Sequence, residues 1–163
     1  MMIINFRGIL IIGIFFLINF TCVSQVTDIA EDDIDFTLLK WHYSKYPKTT
    51  STWRVLKISG EADVYQANFV FESYSTIVLY TAKGAIIEEE VNLSENVPVS
   101  ILAYLDDLYS KYKVTSFIRK INYKAKNEVI FTVELKSKEK GIERIDFDYN
   151  LIPLNSHLVS ESN

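Results

Sequence analysis

The sequence predicts an α+β fold: a tandem repeat of one helix followed by antiparallel strands, with two helices packed on one face of an antiparallel sheet. Three observations carry this. The tetrapeptide Tyr-Ser-Lys-Tyr occurs at Tyr43–Tyr46 and again at Tyr109–Tyr112, an offset of 66 residues. At that offset Phe36, Leu39, Tyr43 and Tyr46 fall on Leu102, Leu105, Tyr109 and Tyr112, at the three- and four-residue steps of an amphipathic helix. Tyr65, Ala67 and Phe69 likewise fall on Phe131, Val133 and Leu135, alternating with polar residues as a strand with one buried face does. One extra residue then sets Val78 and Tyr80 on Ile145 and Phe147.

In the first unit, about residues 28–92, a helix is expected over Asp33–Tyr46, stopping before Pro47. Strands follow over Thr52–Ile58, Val64–Glu72, Thr76–Thr81 and Ala85–Val91. In the second, about 94–154, Pro98 suits a first helical turn, where its missing N–H would be unpaired in any case. That helix runs to about Lys111, and strands follow over Val114–Tyr123, Val129–Lys136, Ile142–Asp148 and Leu151–Leu154. Ala82-Lys83-Gly84 supplies a positive-φ turn residue; in the second unit Asn150 is the expected substitute, because Leu151 occupies the glycine's place.

The ends read differently. Met1–Arg7 is a short positive start, Gly8–Phe20 is continuously apolar, and Thr21–Gln25 turns small and polar. The apolar run is shorter than the roughly 18–20 residues of a stable bilayer span, and its layout is that of a secretory leader. Residues 1–24 are therefore read as a signal peptide cleaved after Ser24, with lipid attachment at Cys22 ranked second because Asn19-Phe20-Thr21 departs from the Leu-x-small pattern. Export to the periplasm or beyond follows. Residues 155–163 form a polar tail.

Composition narrows the function. The chain carries 17 basic and 21 acidic side chains and a formal charge of −4, and losing Arg7 with the leader makes the remainder more acidic still. Nucleic acid demands a dense basic surface, so it is not an expected partner. The only cysteine also leaves with the leader, so neither a disulfide nor thiolate chemistry is expected in the mature domain. No glycine-rich phosphate loop, HExxH, CxxC or GxSxG is present.

His42 aligns with Leu108 on the expected buried side of the repeat helix and reads as a core-edge residue. His157 lies in the tail, where no base is held in place. Asp146-x-Asp148-x-Asn150 opens like a calcium loop, yet its sixth and twelfth positions hold Leu151 and His157 rather than glycine and glutamate. Glu31-Asp32-Asp33 stands where acids favour a helix start. Glu88-Glu89-Glu90 lies on a strand, where alternate carboxylates point to opposite faces. No catalytic residue, metal or cofactor is expected.

Trp53, then Tyr65-x-Ala67-x-Phe69, then Val78-x-Tyr80-Thr81-x-Lys83-Gly84, with Val97-Pro98 heading the second helix, resembles the PepSY-like, beta-lactamase-inhibitor-like domains of exported bacterial proteins. The pattern covers residues 25–154, with Val97-Pro98 in place of the usual Leu-Pro and Leu151 in place of the second turn glycine. The resemblance implies a tandem helix-plus-sheet fold. It also suggests an extracytoplasmic enzyme, a peptidase or a beta-lactamase, as the partner.

If Tyr65, Ala67, Phe69, Val78 and Tyr80 face the core, the opposite sheet face carries Val64, Gln66, Asn68, Val70, Ile77 and Leu79. Its counterpart in the second unit is more polar: Ile130, Thr132, Glu134, Arg144 and Asp146. Stray apolar residues on a solvated sheet are ordinary, while a contiguous apolar patch marks an interaction site. On the second reading Gln66, Asn68, Val70, Ile77 and Leu79 bind a protein partner, with help from loops such as Ser59-Gly60-Glu61. The expected function is then a non-enzymatic exported binding module that inhibits by steric occlusion. The alternatives are an envelope structural or assembly protein, and a small-ligand or cation-binding periplasmic protein using Glu31–Asp33.

Overall fold

The computed structural model describes residues 25–57 and 62–154. The leader with its Ser24 cleavage site and Cys22, the Ser59-Gly60-Glu61 loop, and the tail lie outside them. The chain runs β1 (Gln25–Ile29), a 3-10 turn (Glu31–Asp33), α1 (Phe36–Lys45), β2 (Thr52–Lys57), β3 (Val64–Phe71), β4 (Tyr74–Thr81) and β5 (Ile86–Asn92). It continues with α2 (Val99–Leu108), β6 (Lys113–Asn122), β7 (Glu128–Ser137) and β8 (Gly141–Phe147). All eight strands form one sheet in which each pairs antiparallel with its sequence neighbour, in the order β1 to β8.

This corrects the tandem-repeat architecture. The fold is a single eight-stranded antiparallel sheet interrupted by two ten-residue helices, not a tandem repeat of two helix-plus-strand units. The β5–β6 ladder, Asn92↔Ile118 through Glu88↔Asn122, runs across the expected boundary. A strand the repeat did not contain, β1, precedes the first helix and pairs with β2 from Ile29↔Trp53 to Gln25↔Lys57. The expected strand at Leu151–Leu154 is reduced to one bridge, Phe147↔Pro153.

The repeat register also fails on the helices. Each buries only two residues, Leu38 and His42 in α1 and Ile101 and Leu105 in α2. An offset of 66 would place Leu38 on half-buried Tyr104 and His42 on exposed Leu108. Phe36, assigned to the buried stripe, is 77% exposed. Matching the two tetrapeptides aligned letters at the helix ends, where the rings need not point the same way.

Local chemistry explains the element ends. Asp35 caps α1, its Oδ1 accepting the Thr37 N–H at 2.7 Å. The helix stops at Tyr46, which is forced toward extended backbone (φ −123°, ψ 70°) by Pro47. Pro98 is the cap residue of α2 rather than part of its first turn; its carbonyl accepts the Leu102 N–H at 3.1 Å. Gly84 turns β4 into β5 at φ +82°, and a Cβ there would sit 3.0 Å from Trp41 Cδ1 and 3.2 Å from Leu38 Cα. In the last turn Leu151 itself takes the left-handed conformation (φ 63°), not Asn150.

The buried face is built by strand alternation. Trp53, Ala67, Phe69, Val78 and Tyr80 gather with Ile34, Leu38 and Tyr46 in one cluster. Phe117, Val133, Leu135, Ile145 and Phe147 gather with Ile101, Leu105 and Tyr109 in another. Fully burying one such apolar side chain contributes about 1.5–3 kcal/mol, so these rows supply the main stabilisation.

Candidate functional site

The open face follows directly from the register. Gln66 pairs with Leu79 and Leu79 with Glu88; Asn68 pairs with Ile77 and Ile77 with Glu90; Val70 pairs with Ser75. Paired residues share a face, so the five candidate partner-binding residues stand in adjoining rows of β3 and β4. Gln66, Ile77 and Leu79 line a depression of about 220 Å³ with Leu56, Glu88 and Glu90. Ile77 and Leu79 are half-buried, and Val70, nearer the hairpin, is 63% exposed. Gln66 Nε2 donates to Asn68 Oδ1 at 2.7 Å, which fixes both amides along β3.

Charge frames these apolar rows. Lys120 of β6 reaches Glu90 Oε1 at 2.6 Å and Glu88 Oε1 at 3.2 Å. Burial works against its ammonium, but the Glu90 and Glu88 carboxylates outweigh that and hold its pKa above the usual lysine value. Further along, Thr132 donates to Asp146 at 2.6 Å and Arg144 pairs with Glu134 at 3.1 Å. The open face is thus aliphatic over β3 and β4 and ionic beyond β5.

The other face holds a cluster that sequence reasoning passed over. Strand alternation sends Glu88 and Glu90 to the open side and Glu89 to the core side, where it is buried. Glu89 Oε2 accepts from Tyr46 OH at 2.6 Å, Lys45 Nζ at 2.7 Å and Tyr123 OH at 3.3 Å, and Oε1 faces Arg119 Nη2 at 3.4 Å. Burial pushes the carboxyl upward, but the bonds from Lys45 and Tyr46 and the Arg119 charge overcome it, leaving the pKa below the usual value. Burial first and the Glu89 bond second push the Tyr46 phenol far above its ordinary value. Beside this network opens a cleft of about 410 Å³. Its members come from α1, β5 and β6, so no local motif announces it; the one signal in sequence is an acid at a core-facing strand position.

The remaining candidates are accounted for by structure. His42 is fully buried between Tyr80 and Ser51, each 2.8 Å from a ring nitrogen. Asp148 Oδ1 accepts the N–H groups of Asn150 and Ile152, both at 2.8 Å, so it closes a turn. Glu31 accepts from Tyr43 OH at 2.7 Å. Among the described residues no three His, Cys, Asp or Glu side chains gather as a metal group.

No protein-family model matches the chain, and no curated protein does. Solved structures do. A provisionally periplasmic protein of Bacteroides eggerthii superposes with a TM-score of 0.61 at 15% identity, over 75% of this chain and 86% of that one. A DUF2874 family protein of Bacteroides uniformis gives 0.60 at 16% identity, over 74% and 86%. A BLIP-like protein of Bacteroides fragilis gives 0.57 at 15% identity, over 80% and 89%. No helix among the described residues is long and apolar enough to cross a membrane. At these identities the likeness is one of fold: the chain shares the fold of BLIP-like and DUF2874 proteins of Bacteroides.

Proposed function

We infer that this chain is an exported, non-enzymatic binding module that holds a protein partner on the open face of its sheet. The observation that carries the reading is the row of aliphatic side chains, Ile77 and Leu79 with Leu56, lining a depression beside exposed Val70. An aliphatic patch rimmed by ionic groups is the usual make-up of an interaction surface. Two further points support it: fold relatives named BLIP-like or periplasmic, and a leader-like start at residues 1–24. The partner we propose is an extracytoplasmic enzyme, a peptidase or a beta-lactamase, blocked sterically by the sheet covering its cleft. The site residues are Gln66, Asn68, Val70, Ile77 and Leu79.

Affinity capture from the bacterial envelope fraction tests this. Ile77→Asp and Leu79→Asp are each expected to lose the partner that the unaltered protein retains, with thermal unfolding nearly unchanged. Unfolding of both variants would mean that the face is core. A protein that elutes as an oligomer on sizing, and captures nothing else, would favour the envelope-assembly role instead.

A further inference from the structure

The cleft beside Glu89 lies across the sheet from Ile77 and Leu79, since Glu89 pairs with Val78 between them. Its volume of about 410 Å³ falls within the range of small-molecule sites. Tyr46, Phe71, Tyr74, Val91, Leu93 and Tyr123 form apolar and aromatic walls. Lys45, Glu89 and Arg119 supply the convergent polar groups, and Glu72 stands at the exposed β3–β4 turn.

The donors in the cleft are unevenly used. Two cations, Lys45 and Arg119, meet buried Glu89, with Glu72 exposed at the rim. Lys45 is committed, to Glu89 at 2.7 Å and to Tyr123 at 3.2 Å. Arg119 is not. A guanidinium carries five donors, and Arg119 makes one bond of 3.4 Å to Glu89, while its buried Nε has no acceptor among the described residues. A network serving only to tie α1 to the sheet would use Glu89 but gives no role to the open volume or the spare donors.

The geometry points to a binding site for a small organic carboxylate with an aromatic body, the carboxylate on Arg119 and the body against Phe71, Tyr74 and Tyr123. A planar carboxylate matches the guanidinium fork with two parallel bonds. Aromatic walls accept the apolar remainder by offset or edge-on stacking.

The test is an NMR titration of the purified protein with phenylacetate, and with phenethylamine as a cation of similar body. Phenylacetate is expected to bind saturably with a Kd on the order of 1 mM, a value suited to a ligand of its size, and to shift the Arg119 and Tyr123 signals. Phenethylamine is expected to leave them unmoved. Arg119→Gln should weaken phenylacetate at least tenfold, while Ile77→Asp, on the other face, leaves it unchanged. Tyr74→Ala, which removes a wall and touches no ion pair, should also weaken it and serves if Arg119→Gln does not fold. Equal response to both probes, absence of saturation by phenylacetate at tens of millimolar, or full affinity in Tyr74→Ala would overturn the assignment. Partner capture through Ile77 and Leu79 is read separately and does not depend on this outcome.

Discussion

The hydroxyl of Tyr80 lies 2.8 Å from Nδ1 of His42, and the hydroxyl of Ser51 lies 2.8 Å from Nε2, so both ring nitrogens are occupied. A neutral imidazole fits this pair of partners, with one nitrogen donating and the other accepting. Burial holds the pKa down at about 4 from the usual 6.5, against an opposing pull from Glu31. Between those values the unfolded chain binds a proton that the folded one refuses. Stability from this group is therefore full above about pH 6.5 and declines toward pH 4, by about 3 kcal/mol in all. Thermal unfolding should show the decline in the unaltered protein, and His42→Gln should flatten it between pH 6.5 and 4.5. A melting temperature constant over that window in the unaltered protein would sink the account.

Glu89 acts in the same sense at lower pH. Its folded pKa is depressed, so its contribution is present above the usual carboxyl value and is lost only as pH falls through the lower, folded one. Glu89→Ala strips Tyr46, Lys45 and Arg119 of a shared acceptor. Because the two cations are about two-fifths exposed, water relieves part of the damage, and we expect a loss of about 2–3 kcal/mol in urea unfolding. Lys45→Ala leaves Glu89 with its other donors and should cost about 1 kcal/mol or less.

Two turns should respond with opposite signs. Gly84→Ala places a Cβ against Leu38 Cα and Trp41 in a left-handed backbone, and should destabilise by about 1–2 kcal/mol. Glu72 and Ser73 in the β3–β4 turn both have positive φ, 50° and 74°, without being glycine. Ser73→Gly removes that strain and should stabilise by about 0.5–1 kcal/mol. Chemical denaturation of the two variants beside the unaltered protein checks both.

On the open face, replacing Lys120 by Ala leaves Glu88 and Glu90 flanking Ile77 and Leu79 without their shared cation. The stability change should stay within about 1 kcal/mol, since Lys120 is more than a third exposed. Partner capture should weaken when the partner surface is acidic and hold when it is basic, as two capture runs at low and high salt would reveal.

Strand alternation was legible because period two is written within each strand, whichever strand it pairs with: Ala67, Phe69, Val78 and Tyr80 are all buried. The helix faces were not, because exposed Phe36 and Trp41 carry apolar side chains on the outer side of α1 and blur its stripe. β1 was missed because Val26 and its neighbours on the sheet edge are exposed, so no buried alternation marks them. The Glu89 network was invisible for a different reason. It joins Lys45 to Tyr123, 78 positions apart, and only the β5–β6 pairing brings them together.

The neighbour-to-neighbour strand order has a kinetic consequence. Most hairpins here close across a few residues, so most of the sheet can zip without long-range search. Two ladders are exceptions, β1–β2 and β5–β6, whose connections contain α1 and α2. Loop-closure entropy is largest at those two joins, and the slow step of folding should be the docking of Ile29 against Trp53 or of Val91 against Arg119 rather than formation of any hairpin.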